Sequence, residues 1–336
     1  MPSRKPDSDK GLGRIAGLLL TAAVAVGLLF LPDFLNLYWL RIVSNIFMFA
    51  ALAQGINIIA GYTGYPAFGN VVFFGLGAYS TAIVMVKFQG SFITGVLVGG
   101  AVCLVFVLLL GPYLLRLWGH YFAIATLGMN EAIKAIIYNA TDFTGGGMGL
   151  SVPLPPGNPA ESARYFYYLL YGAMVLSVLV TYWLSVSRLG HACRAIRDDE
   201  VKAKAMGLPT ERSKLAAWAI SAVLTGFVGG IYAYWFSYIE PPVIFDMTIA
   251  VESFVIFLLG GAGTVLGPVI GAAIVELFAT LTWSHALNYH VGILGLIIIV
   301  IVVALPKGFI VFVRDNLSVA ALLRRLAQSR ARPDSD

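Results

Sequence analysis

A succession of long apolar stretches constrains the fold of this chain more than any other sequence feature. Ten such stretches follow one another, at residues 15–31, 42–60, 67–86, 92–110, 121–138, 165–186, 215–238, 249–259, 266–283 and 291–305. A helix of about 18 apolar residues is long enough to cross the hydrocarbon core of a bilayer. Charged residues make up only 12% of the 336 residues, roughly half the share that is usual in a soluble domain. A soluble enzyme and a disordered chain are therefore excluded.

The predicted fold class is an all-α polytopic integral membrane protein. We expect one transmembrane domain, residues 1–336, with about eight to ten transmembrane helices, including short or broken segments. The stretch 249–259 is short and runs into Gly260-Gly-Ala-Gly263, and the stretch 67–86 is preceded by a Gly- and Pro-containing break at residues 61–66. The two cysteines are too few for a disulfide framework.

The distribution of positive charge predicts the orientation in the membrane. Residues 188–214 contain seven Lys or Arg residues, and the tail at residues 307–336 contains six more. Because Lys and Arg concentrate on the cytoplasmic side of transmembrane helices, we expect both segments and the N-terminus, residues 1–14, to be cytoplasmic. Residues 140–164 carry few charges and are predicted to be external. Six crossings before residue 188 and four after residue 214 satisfy this arrangement.

Motifs for nucleotide or metal chemistry are absent from the sequence. It contains neither G-x-x-x-x-G-K-[ST] nor H-E-x-x-H, and its four histidines, His120, His191, His285 and His290, are scattered. We therefore expect no catalytic residue, no metal and no bound cofactor in this chain. A membrane-embedded enzyme is disfavoured because no cluster of His, Asp, Glu and Cys residues supports one.

The segment at residues 190–207 is the longest charged stretch between two predicted spans. Ile196, Glu200, Ala203 and Gly207 follow the spacing i, i+4, i+7, i+11, which predicts that they share one face of a helix ended by Gly207. This small face suits close docking against another protein, so a charge at Ala203 is expected to break the contact. The alternative is a solvated loop whose basic residues only set the topology.

The stretch Arg194-Ala-Ile-Arg-Asp-Asp-Glu-Val-Lys-Ala-Lys-Ala-Met-Gly207 resembles the cytoplasmic coupling segment of the bacterial branched-chain amino acid ABC transporter permease family, LivM type. Further stretches match that family's pattern in order, at residues 61–69 with 73–79, 121–127 with 144–146, and 260–268. The resemblance covers about residues 45–308. Where the family often carries Gln-Leu-Ser-Leu-Gly-His, this chain has Tyr65-Pro-Ala-Phe-Gly-Asn70, which changes the hydrogen-bonding groups offered to any cargo.

The resemblance implies the permease subunit of an ATP-driven ABC importer in the bacterial inner membrane. The implied partners are a second permease subunit in a heterodimer, two cytoplasmic ATP-binding subunits that hold ATP and Mg, a periplasmic substrate-binding protein and membrane lipid. No nucleic-acid partner is expected. The implied cargo is a branched-chain amino acid, with urea or short-chain amides as the alternative. The residues implied to couple this chain to the ATPase are Arg194, Arg197, Asp198, Asp199, Glu200, Ala203, Ala205 and Gly207.

A glycine pattern that occurs twice in the sequence predicts where a substrate pathway runs. Gly69-x7-Gly77-Ala78 recurs as Gly263-x7-Gly271-Ala272, each beside an interrupted apolar stretch. Paired broken segments in two halves of a transporter mark its central site, because unwound backbone is tolerated there only beside water or protein. The alternative is that the glycines merely allow close helix packing. The predicted pathway residues are Thr63, Gly64, Tyr65, Phe68, Asn70, Asn130, Glu131, Gly260, Gly261, Gly263 and Thr264.

Charged residues within the apolar stretches offer a hypothesis from a different class. Glu131 and Lys134 are spaced i, i+3 and are placed to pair on one helix face. An ionisable group inside a membrane span suggests function because its burial is costly. The alternative is therefore an ion-coupled secondary transporter with Glu131 as proton carrier. Glu252 and Glu276 lie near the ends of their apolar stretches, where hydration is easier.

Overall fold

The chain folds into a bundle of α-helices in a computed structural model that describes residues 26–155, 157–285 and 295. Within these described residues, six helices are long and apolar enough to cross a membrane: Leu37–Gly61, Phe68–Val86, Phe92–Leu114, Pro159–Val186, Thr210–Phe236 and Pro241–Gly260. The predicted all-α polytopic membrane fold is confirmed. Most of the first predicted span (15–31), nearly all of the last (291–305), the N-terminus (1–14) and the tail (307–336) lie outside the described residues.

The elements are named here in chain order. They are α1 (Leu37–Ile56, extended by a π-helical turn Asn57–Gly61), α2 (Val71–Val86), α3 (Phe92–Leu114), α4 (Gly119–Asn139), α5 (Thr141–Thr144), β1 (Leu150–Ser151), α6 (Pro159–Val186), α7 (Arg188–Asp198), α8 (Glu200–Ala205), α9 (Thr210–Phe236), β2 (Tyr238–Ile239), α10 (Pro241–Ile244), α11 (Met247–Gly260) and α12 (Gly267–His285). Helix α4 covers the predicted stretch 121–138 but is too polar to be counted among the six.

Polar side chains set where several of these helices begin. The first amides of a helix have no partner within the helix, and a capping side chain supplies one. Asn36 Oδ1 accepts from the Trp39 amide at 3.0 Å at the start of α1. Ser187 Oγ accepts from the Gly190 amide at 3.1 Å at the start of α7. The residues that cap α3, α8 and α11 in the same way are Ser91, Asp199 and Asp246.

Helices α1, α2 and α9 form the centre of the bundle. The most apolar part of the first span, Leu37–Gly61, is 83% buried, whereas that of Phe92–Leu114 is only 28% buried. Helix α9 packs against α2, α3 and α1, while α6 and α12 pack on the outer side of α1. The exposed apolar side chains of α3 and α6 therefore form the surface that faces hydrocarbon in a membrane.

Glycines allow the central helices to approach backbone to backbone. A Cβ atom on Gly77 in α2 would lie 2.1 Å from the Gly226 carbonyl oxygen in α9. A Cβ atom on Gly271 in α12 would lie 2.3 Å from the Ile256 carbonyl oxygen in α11. Small residues give membrane helices this close contact. For Gly77 and Gly271, which belong to the repeated glycine pattern, the structure therefore supports the packing interpretation.

The two ends of the bundle differ in character. The strands β1 and β2 pair antiparallel at one end, with Leu150 opposite Ile239. At the other end the N-terminus of α9 meets the C-terminus of α3, where Lys214 Nζ donates to the Leu115 carbonyl at 3.2 Å. Helices α7 and α8 lie at this second end, which is the end predicted to be cytoplasmic.

We expect Gly77→Ala to lower the free energy of unfolding by about 1–3 kcal/mol, because the added methyl forces α2 away from α9. The measurement is chemical unfolding of the protein in detergent. The matched control is Gly172→Ala in α6, where a Cβ atom meets nothing within 4 Å. That change is expected to be neutral or to stabilise by up to about 1 kcal/mol. Equal stability of the two variants would contradict the packing interpretation.

Candidate functional site

Two connections between helices define the candidate site. The first connection, residues 61–70, joins α1 to α2, and the second connection, residues 260–267, joins α11 to α12. The sequence pattern predicts that both interruptions lie within apolar spans. In the structure each lies between two helices, and the helices that flank the first, Leu37–Gly61 and Phe68–Val86, have 25 and 19 residues. The two interruptions, which the sequence predicts to correspond to each other, lie against each other in the structure.

Buried amide side chains satisfy the backbone of the second connection. The amide of Gly263 donates to Asn57 Oδ1 at 2.8 Å, and Asn57 Nδ2 donates to the Thr264 carbonyl at 2.8 Å. Gln54 Nε2 donates to the Val265 carbonyl at 2.5 Å. Unpaired backbone groups are costly inside an apolar bundle, and α1 supplies the partners here.

Glycine is required where the two connections touch. A Cβ atom on Gly61 would lie 2.8 Å from the Gly263 nitrogen. Within the second connection, a Cβ atom on Gly260 would lie 2.0 Å from the carbonyl oxygen of Gly267. Gly64, Gly261 and Gly263 have φ angles of +78°, +119° and +79°. Residues with a side chain rarely adopt such angles.

Arg197, at the C-terminal end of α7, contacts both connections. Its Nη1 donates to the carbonyl oxygen of Gly61. A Cβ atom on Gly64 would lie 3.3 Å from Arg197 Cγ, and one on Gly263 would lie 2.9 Å from Arg197 Nη1. One basic side chain therefore links the predicted coupling segment to both connections.

A buried ion pair makes a second link between the coupling segment and the first connection. Lys214 Nζ lies 2.6 Å from Glu200 Oε1. The Tyr65 hydroxyl donates to Glu200 Oε2 at 2.5 Å and accepts from Lys214 Nζ at 2.8 Å. Lys214 is 2% exposed. We call this group the Tyr65–Glu200–Lys214 cluster; it joins the first connection, α8 and α9.

Burial raises the pKa of Tyr65, and the hydrogen bond and negative charge of Glu200 raise it further. The hydroxyl therefore stays protonated at neutral pH and keeps donating to the carboxylate. The sequence alone suggests Tyr65 as a group that meets cargo, whereas in the structure its hydroxyl is engaged by Glu200 and Lys214.

The predicted continuous helix through residues 190–207 is wrong. Helix α7 ends at Asp198, and α8 begins at Glu200. Between them Asp199 is extended, with φ −165° and ψ 106°, and its Oδ1 accepts from the Lys202 amide at 3.0 Å. Asp favours such a capping position over a helix interior. The Lys202 amide, followed by the Lys202 side chain, lowers the pKa of Asp199, which keeps the cap charged.

The predicted docking face is turned inward. Ile196 and Ala203 are buried against the chain's own core. A charge at Ala203 would therefore disturb this chain rather than a contact with a partner, which corrects the expectation from helical spacing. The outer surface of the segment carries Val201 and Met206, which are 66% and 72% exposed.

The remaining predicted coupling residues lie on both sides of the segment. Arg194 Nη2 donates to the Ser185 carbonyl at 2.9 Å and its guanidinium lies 5.9 Å from the centre of the Tyr62 ring. The residues exposed on the outer surface are Asp198, Ala205 and Gly207.

The predicted pathway residues of the first connection use their polar groups within the chain. The Thr63 hydroxyl donates to the Ile59 carbonyl at 2.6 Å. Asn70 Nδ2 lies 3.2 Å from Ser221 Oγ and 3.1 Å from Thr225 Oγ1. Thr63 and Asn70 are 1% and 2% exposed. In this conformation neither side chain is open to water.

Phe68, also a predicted pathway residue, packs against α11. Its ring stacks on that of Phe254 with the centroids 4.1 Å apart. This contact joins the first connection to the helix that precedes the second connection. A contact of Phe68 with cargo stays a prediction.

Asn130 and Glu131 lie in different environments, one buried and the other exposed. Asn130 is buried, and its Nδ2 donates to the Phe245 carbonyl at 3.0 Å. Glu131 Oε2 lies 3.3 Å from Lys134 Nζ, so the predicted i, i+3 pair is confirmed. The Glu131 side chain is 55% exposed. A pathway role for either residue stays a prediction.

Sequence reasoning missed three side chains of the site. Gln54, Asn57 and Lys214 are all buried. The available signal was three amide side chains, Asn45, Gln54 and Asn57, inside the largely apolar stretch 42–60 and one lysine at the edge of the stretch 215–238. Among the described residues, no three His, Cys, Asp or Glu side chains are grouped as metal ligands would be.

We expect Lys214→Met to lower the free energy of unfolding by about 3–5 kcal/mol, because it leaves the Glu200 carboxylate buried without its cation. Adding Glu200→Leu to this variant is expected to restore much of the loss. The measurement is a double-mutant cycle from unfolding in detergent. The control is Lys202→Met, since Lys202 is 80% exposed in its pair with Asp199, and its loss is expected to cost less than about 1 kcal/mol. A small effect of Lys214→Met alone would contradict the assignment.

Comparisons with known proteins place this chain in a family. The sequence profile of the branched-chain amino acid transport system permease component family matches residues 38–302. The high-affinity branched-chain amino acid transport system permease protein LivM of Escherichia coli K12 is 28% identical over 300 residues, covering 81% of this chain and 70% of LivM. LivM of Salmonella typhimurium LT2 matches equally. LivH of Escherichia coli K12 is 24% identical over 132 residues, covering 39% of this chain and 42% of LivH. No solved structure matches the chain significantly.

Proposed function

The chain belongs to the family of permease components of branched-chain amino acid transport systems, and on that premise we propose that it is the membrane-spanning permease subunit of an ATP-driven ABC importer. The proposed cargo is a branched-chain amino acid, the substrate class named in the LivM and LivH relatives. Because the sequence contains no P-loop motif, the proposal assigns ATP and Mg to partner subunits.

Such an importer needs further subunits, and we propose that this chain assembles with them. They are a second permease subunit, two cytoplasmic ATP-binding subunits and a periplasmic substrate-binding protein. The complex would lie in the bacterial inner membrane, with residues 188–214 and both termini in the cytoplasm. The seven Lys and Arg residues in 188–214 support this orientation.

The observation that carries the proposal is the double link between the coupling segment and the connections. Arg197 in α7 contacts the first connection and the second, and Glu200 in α8 holds Tyr65 and Lys214. A force applied to α7 and α8 by an ATPase would thus reach two pairs of helices, α1 with α2 and α11 with α12, at once. In an importer this is how nucleotide-driven motion would open or close the route for cargo.

A surface beside the coupling segment offers room for the ATPase partner. A groove of about 630 Å³ lies between the ends of α3, α8 and α9, lined in part by Trp118, Val201 and Leu215. Charged side chains also line the groove, namely Arg116, Glu200, Lys204, Glu211, Arg212 and Lys214. Surfaces that bind other proteins combine apolar and charged side chains in this way.

Reconstitution tests the proposed function directly. Proteoliposomes that hold this chain, the second permease and the ATP-binding subunits are expected to take up L-leucine from the loaded binding protein when ATP is present. Liposomes that hold this chain alone are expected to show neither ATPase activity nor uptake. Gradient-driven uptake by the chain alone would instead identify an ion-coupled secondary transporter.

We expect Val201→Asp to reduce both recovery of the ATP-binding subunit with the permease and ATP-driven uptake by at least about tenfold, because the contact would have to desolvate an unpaired charge. The variant should fold normally, since Val201 is 66% exposed. The matched control is Leu154→Asp, an 80% exposed apolar residue in the predicted external loop, which should leave recovery of the ATP-binding subunit unchanged. Equal recovery with both variants would count against docking at α8.

Cysteine labelling tests whether the connections move during transport. We expect Asn70→Cys and Thr264→Cys to react slowly with a water-soluble maleimide at rest and faster during ATP turnover, as the connections open. Val105→Cys, on the outer face of α3, should react slowly in both states because hydrocarbon excludes the reagent. Background is low because Cys103 and Cys193 are buried, and burial raises the pKa of Cys193 to about 12. Turnover-independent rates at all three positions would show that the connections only pack.

A further inference from the structure

A second polar site lies apart from the connections, in an open cavity between α1, α11 and α12. The cavity has a volume of about 530 Å³. Asn45 stands 12 residues before Asn57 on α1, which corresponds to roughly 18 Å along the helix. The residues that line the cavity are Tyr38, Ile42, Asn45, Phe49, Glu252, Glu276, Ala279 and Thr280.

Glu276 is the centre of this site and is only 4% exposed. Its Oε2 accepts from Asn45 Nδ2 at 2.7 Å. Its Oε1 receives no hydrogen bond from any donor in the described part of the chain. The neighbouring Thr280 hydroxyl donates to the Glu276 main-chain carbonyl rather than to its carboxylate. A buried carboxylate oxygen without a donor is costly and calls for an occupant of the cavity.

Glu252 on α11 brings a second carboxyl group to the same place. Both carboxyl groups line the cavity. Two carboxylates confined to one cavity repel each other, and a cation between them relieves that repulsion. No Lys, Arg or His is among the eight residues described as lining the cavity. Among the residues described as lining the cavity, the two carboxyl groups therefore have no cationic partner.

We propose that this cavity binds a monovalent cation, either the ammonium group of the cargo amino acid or a free inorganic cation. The first source rests on the proposed function, and the second does not. A cation offsets the negative charge of the two carboxyl groups, and an ammonium group has three N–H donors, one of which would pair with the unpartnered Glu276 Oε1.

The walls of the cavity favour a cation that carries an aliphatic group. Ile42, Phe49 and Ala279 present apolar side chains beside the two carboxyl groups. The described lining residues include no basic side chain, so a cargo carboxylate would point towards the open side of the cavity. The proposed site would therefore bind the amino end of an amino acid.

Ligand-induced thermal stabilisation of the purified full chain in detergent tests this site. The probes are isoamylamine, which has the cation without a carboxylate, L-leucine, and isocaproate, which has the carboxylate without the cation. NaCl against choline chloride at equal ionic strength tests an inorganic cation. We expect isoamylamine and L-leucine to raise the melting temperature and isocaproate to have no effect. A shift with Na⁺ but not with the amines would identify the inorganic ion as occupant.

Three variants make the test specific. Glu276→Gln and Glu252→Gln keep the shape and hydrogen-bonding reach of the side chain, and each is expected to raise the Kd for isoamylamine at least about tenfold. The matched control is Glu161→Gln, which removes an exposed carboxylate at the start of α6, outside the cavity, and should leave the Kd unchanged. If both cavity variants bind every cation as the wild type does, or if no cation stabilises the wild type, the proposal is overturned.

The outcome is distinguishable from failure of the proposed function. A complex that imports L-leucine with ATP, but whose chain shows no Glu276-dependent stabilisation, retains its permease role and loses the cation site. Conversely, Glu276-dependent binding of Na⁺ by a chain that supports no ATP-driven uptake establishes the site without the importer. Should Glu276→Gln reduce the yield of folded protein, the Glu252→Gln variant supplies the same comparison.

Discussion

The structure depends on one constraint, which is that backbone polar groups inside an apolar bundle must find partners within the protein. Long helices meet this constraint by themselves. The two connections do not, and side chains of α1 meet it for them. Asn57 accepts from an amide and donates to a carbonyl of the second connection, and Gln54 donates to another carbonyl. The place where helices end is thus the place where buried polar side chains accumulate.

The same requirement extends to charge. Buried charges persist only with partners, and in the described part of the chain Lys or Glu side chains are buried in two places. In the Tyr65–Glu200–Lys214 cluster the partners are complete, so the cluster holds α8 against the first connection. At Glu276 they are incomplete, and an open cavity adjoins the unpaired oxygen. The Tyr65–Glu200–Lys214 cluster therefore joins helices, whereas Glu276 belongs to the cavity for which we propose a ligand.

Close helix packing explains how a short surface segment reaches the interior. Glycines bring α2 against α9 and the first connection against the second, so that no intervening side chain absorbs a displacement. Arg197 contacts this glycine-lined junction from outside. A rigid contact of this kind transmits motion because a packed interior has little room to deform. The membrane-spanning part and the coupling segment are therefore one mechanical unit.

Sequence by itself determined the membrane-spanning all-α class, because apolar stretches of span length have no stable alternative in water. It also singled out the segment around Arg197 and Glu200 and both glycine-rich interruptions. Only the tertiary structure decided what these contact. Helical periodicity predicted one face through Ala203 pointing outward, whereas the cap at Asp199 breaks the helix and turns that face inward. The pairing of Lys214 with Glu200 joins two helices, and Glu252 and Glu276 line one cavity from two others. Neither composition nor local spacing records which helices pack side by side.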